Sequence, residues 1–278
     1  MHSISLGFFA VSATHLLMLG SLLLAAGVGH IVGKPKKIGI LDVLLEMTLA
    51  GLVAARIVFV AIWFPLYLAS PLSMLDIRDG GFHTWAGVAA GLAFGAWRCW
   101  KRHELVAPLA IGLLAAFIVW DMAGASRIPA VSKDTELSAF SLNTLEGKAT
   151  TLAALANGKP VIVNLWASWC PPCRREMPAL AEAQRRHKDM VFIFVNQDTD
   201  IAAAKQFISD THLDIDNVVL DPAGQIPRAV GSSALPTTLF YDGGKHMVDL
   251  HIGGFSIASL SDALDKFAGM MQKNAQIR

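Results

Sequence analysis

Pro160-Val161-Ile162-Val163-Asn164-Leu165-Trp166-Ala167-Ser168-Trp169-Cys170-Pro171-Pro172-Cys173-Arg174-Arg175-Glu176-Met177-Pro178-Ala179-Leu180 is the stretch that decides how the second half of the chain folds. Val161–Ala167 is apolar except at Asn164 and rich in β-branched residues, which predicts a strand buried on both faces. Beyond Cys173 the apolar positions Met177 and Leu180 fall at helical spacing. A strand, a Cys-x-x-Cys turn and a helix, in that order, make a dithiol redox site. At the head of a helix the first sulfur lies beside unpaired backbone N–H groups and the positive end of the macrodipole, which lower a thiol from about 8.5 toward neutrality. Cys170 is then the thiolate that attacks a disulfide, and the more covered Cys173 resolves the mixed disulfide.

Working outward, Met190–Val195 reads as a second buried strand and Ile201–Ser209 as an amphipathic helix. Thr237–Tyr241 and His246–Ile252 read as strands joined by the turn Asp242-Gly243-Gly244-Lys245, and Ile257–Met271 as a closing helix. Ala234-Leu235-Pro236-Thr237 stands directly before a strand. Phe140-Ser141-Leu142-Asn143-Thr144-Leu145-Glu146-Gly147-Lys148 and Asn164-Leu165-Trp166-Ala167-Ser168-Trp169-Cys170 carry a resemblance to the TlpA/ResA group of membrane-anchored thiol–disulfide oxidoreductases, over residues 138–272. The resemblance implies an α/β thioredoxin-like fold for 138–278, with Cys170 and Cys173 catalytic and no cofactor beyond their redox-active disulfide. It implies that Pro236 is cis and packs against the dithiol, with Leu235 offering its backbone to an extended substrate; a plain trans turn proline is the alternative. It makes Glu176 an acid assisting Cys173, against the alternative of a solvated first-turn glutamate favoured by the helix dipole. Trp169 would pack beside the sulfur. Asn164 stands in the place of thioredoxin's buried aspartate.

The first half has a different composition. The 278 residues are 54% hydrophobic and 16% charged, with a mean hydropathy of +0.48, which excludes a disordered chain and an ordinary soluble enzyme. Residues 1–130 hold nine Lys/Arg and six Asp/Glu, whereas 131–278 hold fourteen and sixteen. Four apolar stretches, 4–32, 38–69, 82–97 and 105–123, lie near the ~20 residues needed to cross a bilayer, the second long enough to bend near Pro65. The predicted architecture is therefore an all-α four-helix transmembrane domain (1–126), a linker (127–137) and the thioredoxin-like domain. Lys34, Lys36 and Lys37 follow the first helix, and Arg98, Lys101 and Arg102 the third. Basic clusters stay cytoplasmic, so the N-terminus and the dithiol domain are expected in the periplasm of a bacterial inner-membrane protein. The first stretch lacks a basic n-region and a cleavage site and reads as retained.

Within this half, Gly87, Gly91 and Gly95 put a smooth stripe on the third helix. Arg56 and Asp121, at similar depth, are expected to form an ion pair between helices or to serve a substrate site; Asp42 and Glu46 read as interfacial. Arg56–Arg102, with an arginine in an apolar helix, a Pro-Leu before Asp79-Gly80-Gly81 and a small-residue helix ending in basic residues, resembles the first half of the prolipoprotein diacylglyceryl transferase family. Arg56-Ile57-Val58-Phe59, Trp85 and Ala116–Gly124 depart from that family's signatures, so this half reads as an anchor derived from its fold.

A net charge of +1 gives no surface for nucleic acid. Zinc held by Cys170, Cys173, His246 and His251 is disfavoured, because the histidines lie an odd number of residues apart on a strand and face opposite sides. The third cysteine, Cys99, belongs to the cytoplasmic end of a helix. The expected partners are thus protein thiol/disulfide substrates and a separate membrane redox protein that recharges the dithiol. A protein-disulfide reductase is the favoured activity. The alternatives are an oxidase or isomerase using the same dithiol, or a lipid-modifying or docking membrane protein with an accessory thioredoxin-like domain.

Overall fold

The computed structural model describes residues 3–6, 9–33, 39–68, 71–127, 140–243 and 246–277. The chain divides into two compact units, one of Met1–Met74 with Gly81–Pro129, the other of Leu75–Gly80 with Ala130–Arg278. Lys34, Lys36, Lys37, most of the expected linker and Gly244-Lys245 of the expected turn lie outside the described residues.

The first unit opens with a hairpin, β1 (Ser3–Leu6) paired antiparallel with β2 (Phe9–Ser12). This corrects the expectation of a helix from residue 4: Ser3-Ile4-Ser5-Leu6 alternates with period two, as a strand does. Helix α1 (Ala13–Gly33) follows, then α2 (Leu41–Ile62). Within the expected stretch 38–69 helix α2 ends at Ile62, near the expected bend, because Pro65, with no N–H to continue the ladder, falls in the single turn α3 (Phe64–Tyr67). Helix α4 (Thr84–Lys101) begins where the His83 Nδ1 accepts the N–H of Ala86, and α5 spans Val106–Arg127.

The glycine stripe of α4 packs as expected. A Cβ on Gly87 would come within 2.9 Å of the Gly51 carbonyl oxygen, and one on Gly91 within 3.1 Å of that of Met47. Backbones of α2 and α4 therefore touch, and an Arg98–Glu46 ion pair ties their ends. Two helical segments, Leu41–Ile62 and His103–Met122, are long and apolar enough to cross a membrane, and less than half of each apolar window is buried. Leu45, Leu49, Leu52, Leu114 and Phe117 all face outward.

The second unit is a seven-stranded sheet with the order β4-β3-β7-β6-β5-β8-β9. The strands are β3 (Leu142–Thr144), β4 (Ala149–Thr150), β5 (Val161–Trp166), β6 (Val191–Asn196), β7 (Val218–Leu220), β8 (Thr237–Tyr241) and β9 (Met247–Ile252). Strands β5, β6 and β7 run parallel, β8 and β9 antiparallel to their neighbours, and the β3–β4 hairpin adds antiparallel to β7. The helices are α6 (Leu152–Ala156), α7 (Pro171–Arg186), α8 (Ile201–Asp210), α9 (Gln225–Ala229) and α10 (Ile257–Ile277).

Every residue of β5 is buried, and its two faces serve separate cores. Ile162 and Trp166 join Phe192, Phe194 and Phe240 in a cluster that contains Cys170, Cys173 and Met177 of the α7 side and Leu264 and Phe267 of α10. Val161, Val163 and Leu165 join Ile193, Val195, Leu239 and Tyr241 beneath α6 and α9. Asn164 shares the face of Ile162 and Trp166, so the strand's period of two aims its amide at the dithiol side. Inside α7, Pro178 has no N–H to give to the carbonyl of Arg174.

Candidate functional site

The site is assembled where β5 hands over to α7. Cys170 is the N-cap of α7, and its Sγ accepts the backbone N–H of Cys173 at 3.3 Å. Pro171 and Pro172 occupy the first helical positions, where a missing N–H breaks no intrahelical bond and the fixed φ favours helix. The first free N–H of the helix is therefore the one directed at the Cys170 sulfur. The two cysteines form a disulfide with S–S 2.05 Å. Cys170 is 3% exposed and Cys173 fully buried, while Trp169 beside them stands 68% exposed. Trp169 thus presents much of its ring to solvent at the rim of the site.

Glu176 lies one turn along α7 from Cys173 and is completely buried. Its Oε1 accepts from Asn164 Nδ2 at 2.8 Å and its Oε2 from the backbone N–H of Phe255 at 2.8 Å. Burial pushes this carboxyl up to about 7, against the two donors, which hold it down. A solvated first-turn glutamate is thereby excluded. Asn164 Nδ2 also donates to Thr238 Oγ1 at 3.0 Å, across the directly paired residues of β5 and β8.

Two braces hold the approach to the sulfur. Asp198, buried after β6, accepts the Ser168 N–H with both oxygens at 3.1–3.2 Å and the Asn196 Nδ2 at 3.0 Å. On the other side the Leu235–Pro236 bond is cis and Pro236 is buried. Leu235 packs onto the cluster that includes both cysteines. The Thr237 hydroxyl donates to the Ala234 carbonyl at 2.7 Å and the Gly253 N–H to the Pro236 carbonyl at 3.0 Å. A Cβ on Gly254 would lie 3.6 Å from Pro172 and 3.8 Å from Glu176 Oε2, so the turn into α10 closes over the same site.

Cys170, Cys173 and Leu235 thus share one core, with Glu176 one turn beyond Cys173, Trp169 next to Cys170 in the chain and Pro236 next to Leu235. Arg56 and Asp121 are not brought together. The Arg56 guanidinium donates to the carbonyls of Ser73, Met74 and Gly81 at 2.8–3.2 Å and faces the rings of Phe59, Tyr67 and Phe82, whereas Asp121 is exposed on α5. In place of Asp121, Arg56 binds carbonyls of the segment between α3 and α4. His246 is exposed just before β9, which begins one residue later than the expected strand, while the His251 ring stacks on Phe255 at 4.0 Å. Among the described residues no cluster of His, Cys, Asp and Glu could hold a metal. The sequence reading missed Thr238, Asp198 and the Phe255 amide, each of which reaches the site across a long stretch of chain.

A disulfide at the head of a helix, set on a mixed sheet and flanked by a cis-proline loop, defines a thiol–disulfide oxidoreductase of the thioredoxin fold. The chain belongs to the redoxin family, whose profile matches residues 125–263. It is 31% identical over 155 residues to the thiol:disulfide interchange protein DsbE of Pseudomonas fluorescens biotype C, covering 55% of this chain and 86% of that one. It is 29% identical over 161 residues to the thiol-disulfide oxidoreductase ResA of Halalkalibacterium halodurans, covering 57% and 89%. Among solved structures, a putative thiol:disulfide interchange protein DsbE from Chlorobium tepidum aligns with a TM-score of 0.43 and 27% identity, over 49% of this chain and 94% of that one.

Proposed function

We propose that the chain is a membrane-anchored, extracytoplasmic protein-disulfide reductase. The observation that carries the reading is the pairing of a helix-capping Cys170 sulfur with a fully buried Glu176 carboxyl, pushed up by burial, one turn beyond the buried Cys173. In the reduced protein the Cys173 N–H and the helix dipole favour the Cys170 thiolate. That thiolate attacks a client disulfide, forming a mixed disulfide and releasing one client sulfur as thiolate. The Cys173 thiol passes its proton to the Glu176 carboxylate, and the resulting thiolate attacks the Cys170 sulfur. The Cys170–Cys173 disulfide re-forms, the second client sulfur leaves, and two electrons have passed to the client. The exposed Trp169 and the Leu235 backbone receive the client segment.

Restoring the dithiol needs an electron source. Cys99 is a lone thiol on α4, so a separate membrane redox protein is assigned this step. The first unit serves as a four-helix anchor derived from a transferase-like fold, with α2 and α5 supplying the two strongest spans. The basic residues Arg98, Lys101 and Arg102 at the end of α4 support a cytoplasmic assignment for that end and a periplasmic one for the dithiol. Capture decides the reading: a Cys173→Ala protein should accumulate mixed disulfides through Cys170 with periplasmic proteins, and the wild type should reduce them. Absence of any Cys170 adduct, or protease protection of the second unit in spheroplasts, refutes it.

A further inference from the structure

We propose that Asn164 is a positioning residue for proton transfer at Cys173, its side-chain amide presenting the NH2 to the Glu176 carboxylate and, turned over, the carbonyl to the Glu176 carboxylic acid. The inference deepens the reductase reading and rests on it. In the oxidised structure the amide NH2 serves both Glu176 Oε1 and Thr238 Oγ1, while Asn164 Oδ1 is buried with no partner among the described residues. Such an arrangement suits the ionised carboxyl, which can only accept. Once Glu176 holds a proton, its O–H needs an acceptor, and the remaining nearby donor–acceptor is the same amide. A half-turn about the last side-chain bond brings Oδ1 to Glu176 and to the Thr238 hydroxyl, which is able to donate. The amide then makes two hydrogen bonds again and leaves its nitrogen where its oxygen was. One residue thereby satisfies both protonation states equally in number, which an aspartate or an apolar residue at this position could not do.

The surroundings leave this role to Asn164. Against Glu176 lie Asn164 from β5 and the Phe255 amide and Gly254 from the turn before α10; Thr238 of β8 bonds Asn164 in turn, and Cys173 stands one turn earlier on α7. The imidazole of His251, stacked on Phe255, is held neutral by burial, its value lowered to about 4. Arg174 and Arg175 of α7 are exposed, and on α10 Asp262 pairs with Lys266 while Asp265 is exposed. Neither donor to Glu176 is a cation: one is the Asn164 amide, the other the Phe255 backbone.

The test uses the full-length protein in detergent micelles with glutamate carboxyls labelled in 13C, the Glu176 signal identified by its loss in Glu176→Gln. Asn164→Leu removes a charge-assisted bond from the ionised form and only a neutral one from the acid, so the Glu176 midpoint should rise by about one pH unit, a tenfold gain in proton affinity. Asn164→Asp keeps the shape and sets a second carboxyl against Oε1, which should raise the midpoint further. In the same reduced proteins, a dinitro-aromatic disulfide (Ellman's reagent) releases one thiolate as Cys170 reacts and a second as Cys173 resolves. The acid limb of the pH–rate profile for the second release should move upward with the Glu176 midpoint. A merely structural role would slow the release without moving the limb. Unmoved midpoints in both variants, or a midpoint that moves while the limb stays, overturn the proposal. A wild type that shows no second release overturns the reductase reading instead, and the 13C titration still decides Asn164.

Discussion

Replacing Glu176 by Gln should stabilise the protein in a way that depends on pH. The carboxyl is fully buried and pushed from its ordinary 4.5 up to about 7. A raised carboxyl means that the folded state holds the proton more tightly than the unfolded state. Its contribution to stability is therefore complete below pH 4.5 and is lost as pH rises through 7. Two and a half units at 1.36 kcal/mol each amount to about 3 kcal/mol, with no discount for exposure because the group is out of water. Glutamine, neutral and nearly isosteric, does not suffer this loss. At pH 8 the Glu176→Gln protein should gain up to about 3 kcal/mol over wild type, and at pH 4.5 almost nothing. Native-state hydrogen exchange on the β5 and β6 amides, corrected for the intrinsic pH dependence, reads the opening free energy directly in the full chain. His251 supplies the internal check. Burial lowers it from 6.5 to about 4, so its contribution is present above 6.5 and lost as pH falls toward 4. The two slopes oppose each other in wild type between 4.5 and 6.5, and the variant should expose the His251 slope alone. Parallel pH profiles for wild type and Glu176→Gln would refute the raised carboxyl.

Cys170→Ala should abolish disulfide exchange while Cys173→Ala retains single-turnover attack and traps adducts, as read by mass under non-reducing conditions. Asp198→Ala strands the Ser168 N–H and the Asn196 amide; unfolding should cost about 1–3 kcal/mol less, with faster exchange at Ser168. Phe194→Ala empties a fully buried ring site in the core that holds the dithiol and should destabilise by about 3–5 kcal/mol by denaturant titration. Arg56→Gln leaves too few donors for the carbonyls of Ser73, Met74 and Gly81, and should make residues 71–82 newly susceptible to protease with the dithiol chemistry intact.

What could be read from the sequence was what is local in the chain. Cys170 and Cys173 cap and enter one helix, Glu176 follows one turn later, and β5 announces itself by seven nearly unbroken apolar residues, so spacing alone placed them. The partners of Glu176 could not be found that way. Thr238 meets Asn164 across a strand pairing 74 residues distant, and Phe255 reaches Glu176 from 79 residues away. The short strand β7 and single-turn helix α9 carry too few residues to show a period. In the first unit, depth along a helix put Arg56 and Asp121 at one level but said nothing of the direction each faces. Three carbonyls and three rings close to Arg56 in space claimed it instead. Ser3–Ser12 was absorbed into the neighbouring apolar helix because hydropathy outweighed its alternation.

Pro178 has one further implication. By leaving the Arg174 carbonyl without its usual donor, it divides α7 into a short leading segment that bears the sulfurs and Glu176 and a longer trailing segment whose Leu180 and Ala183 lock into the sheet. The one backbone bond missing from α7 thus falls just past the turns that carry the sulfurs and Glu176, where the helix is most easily bent.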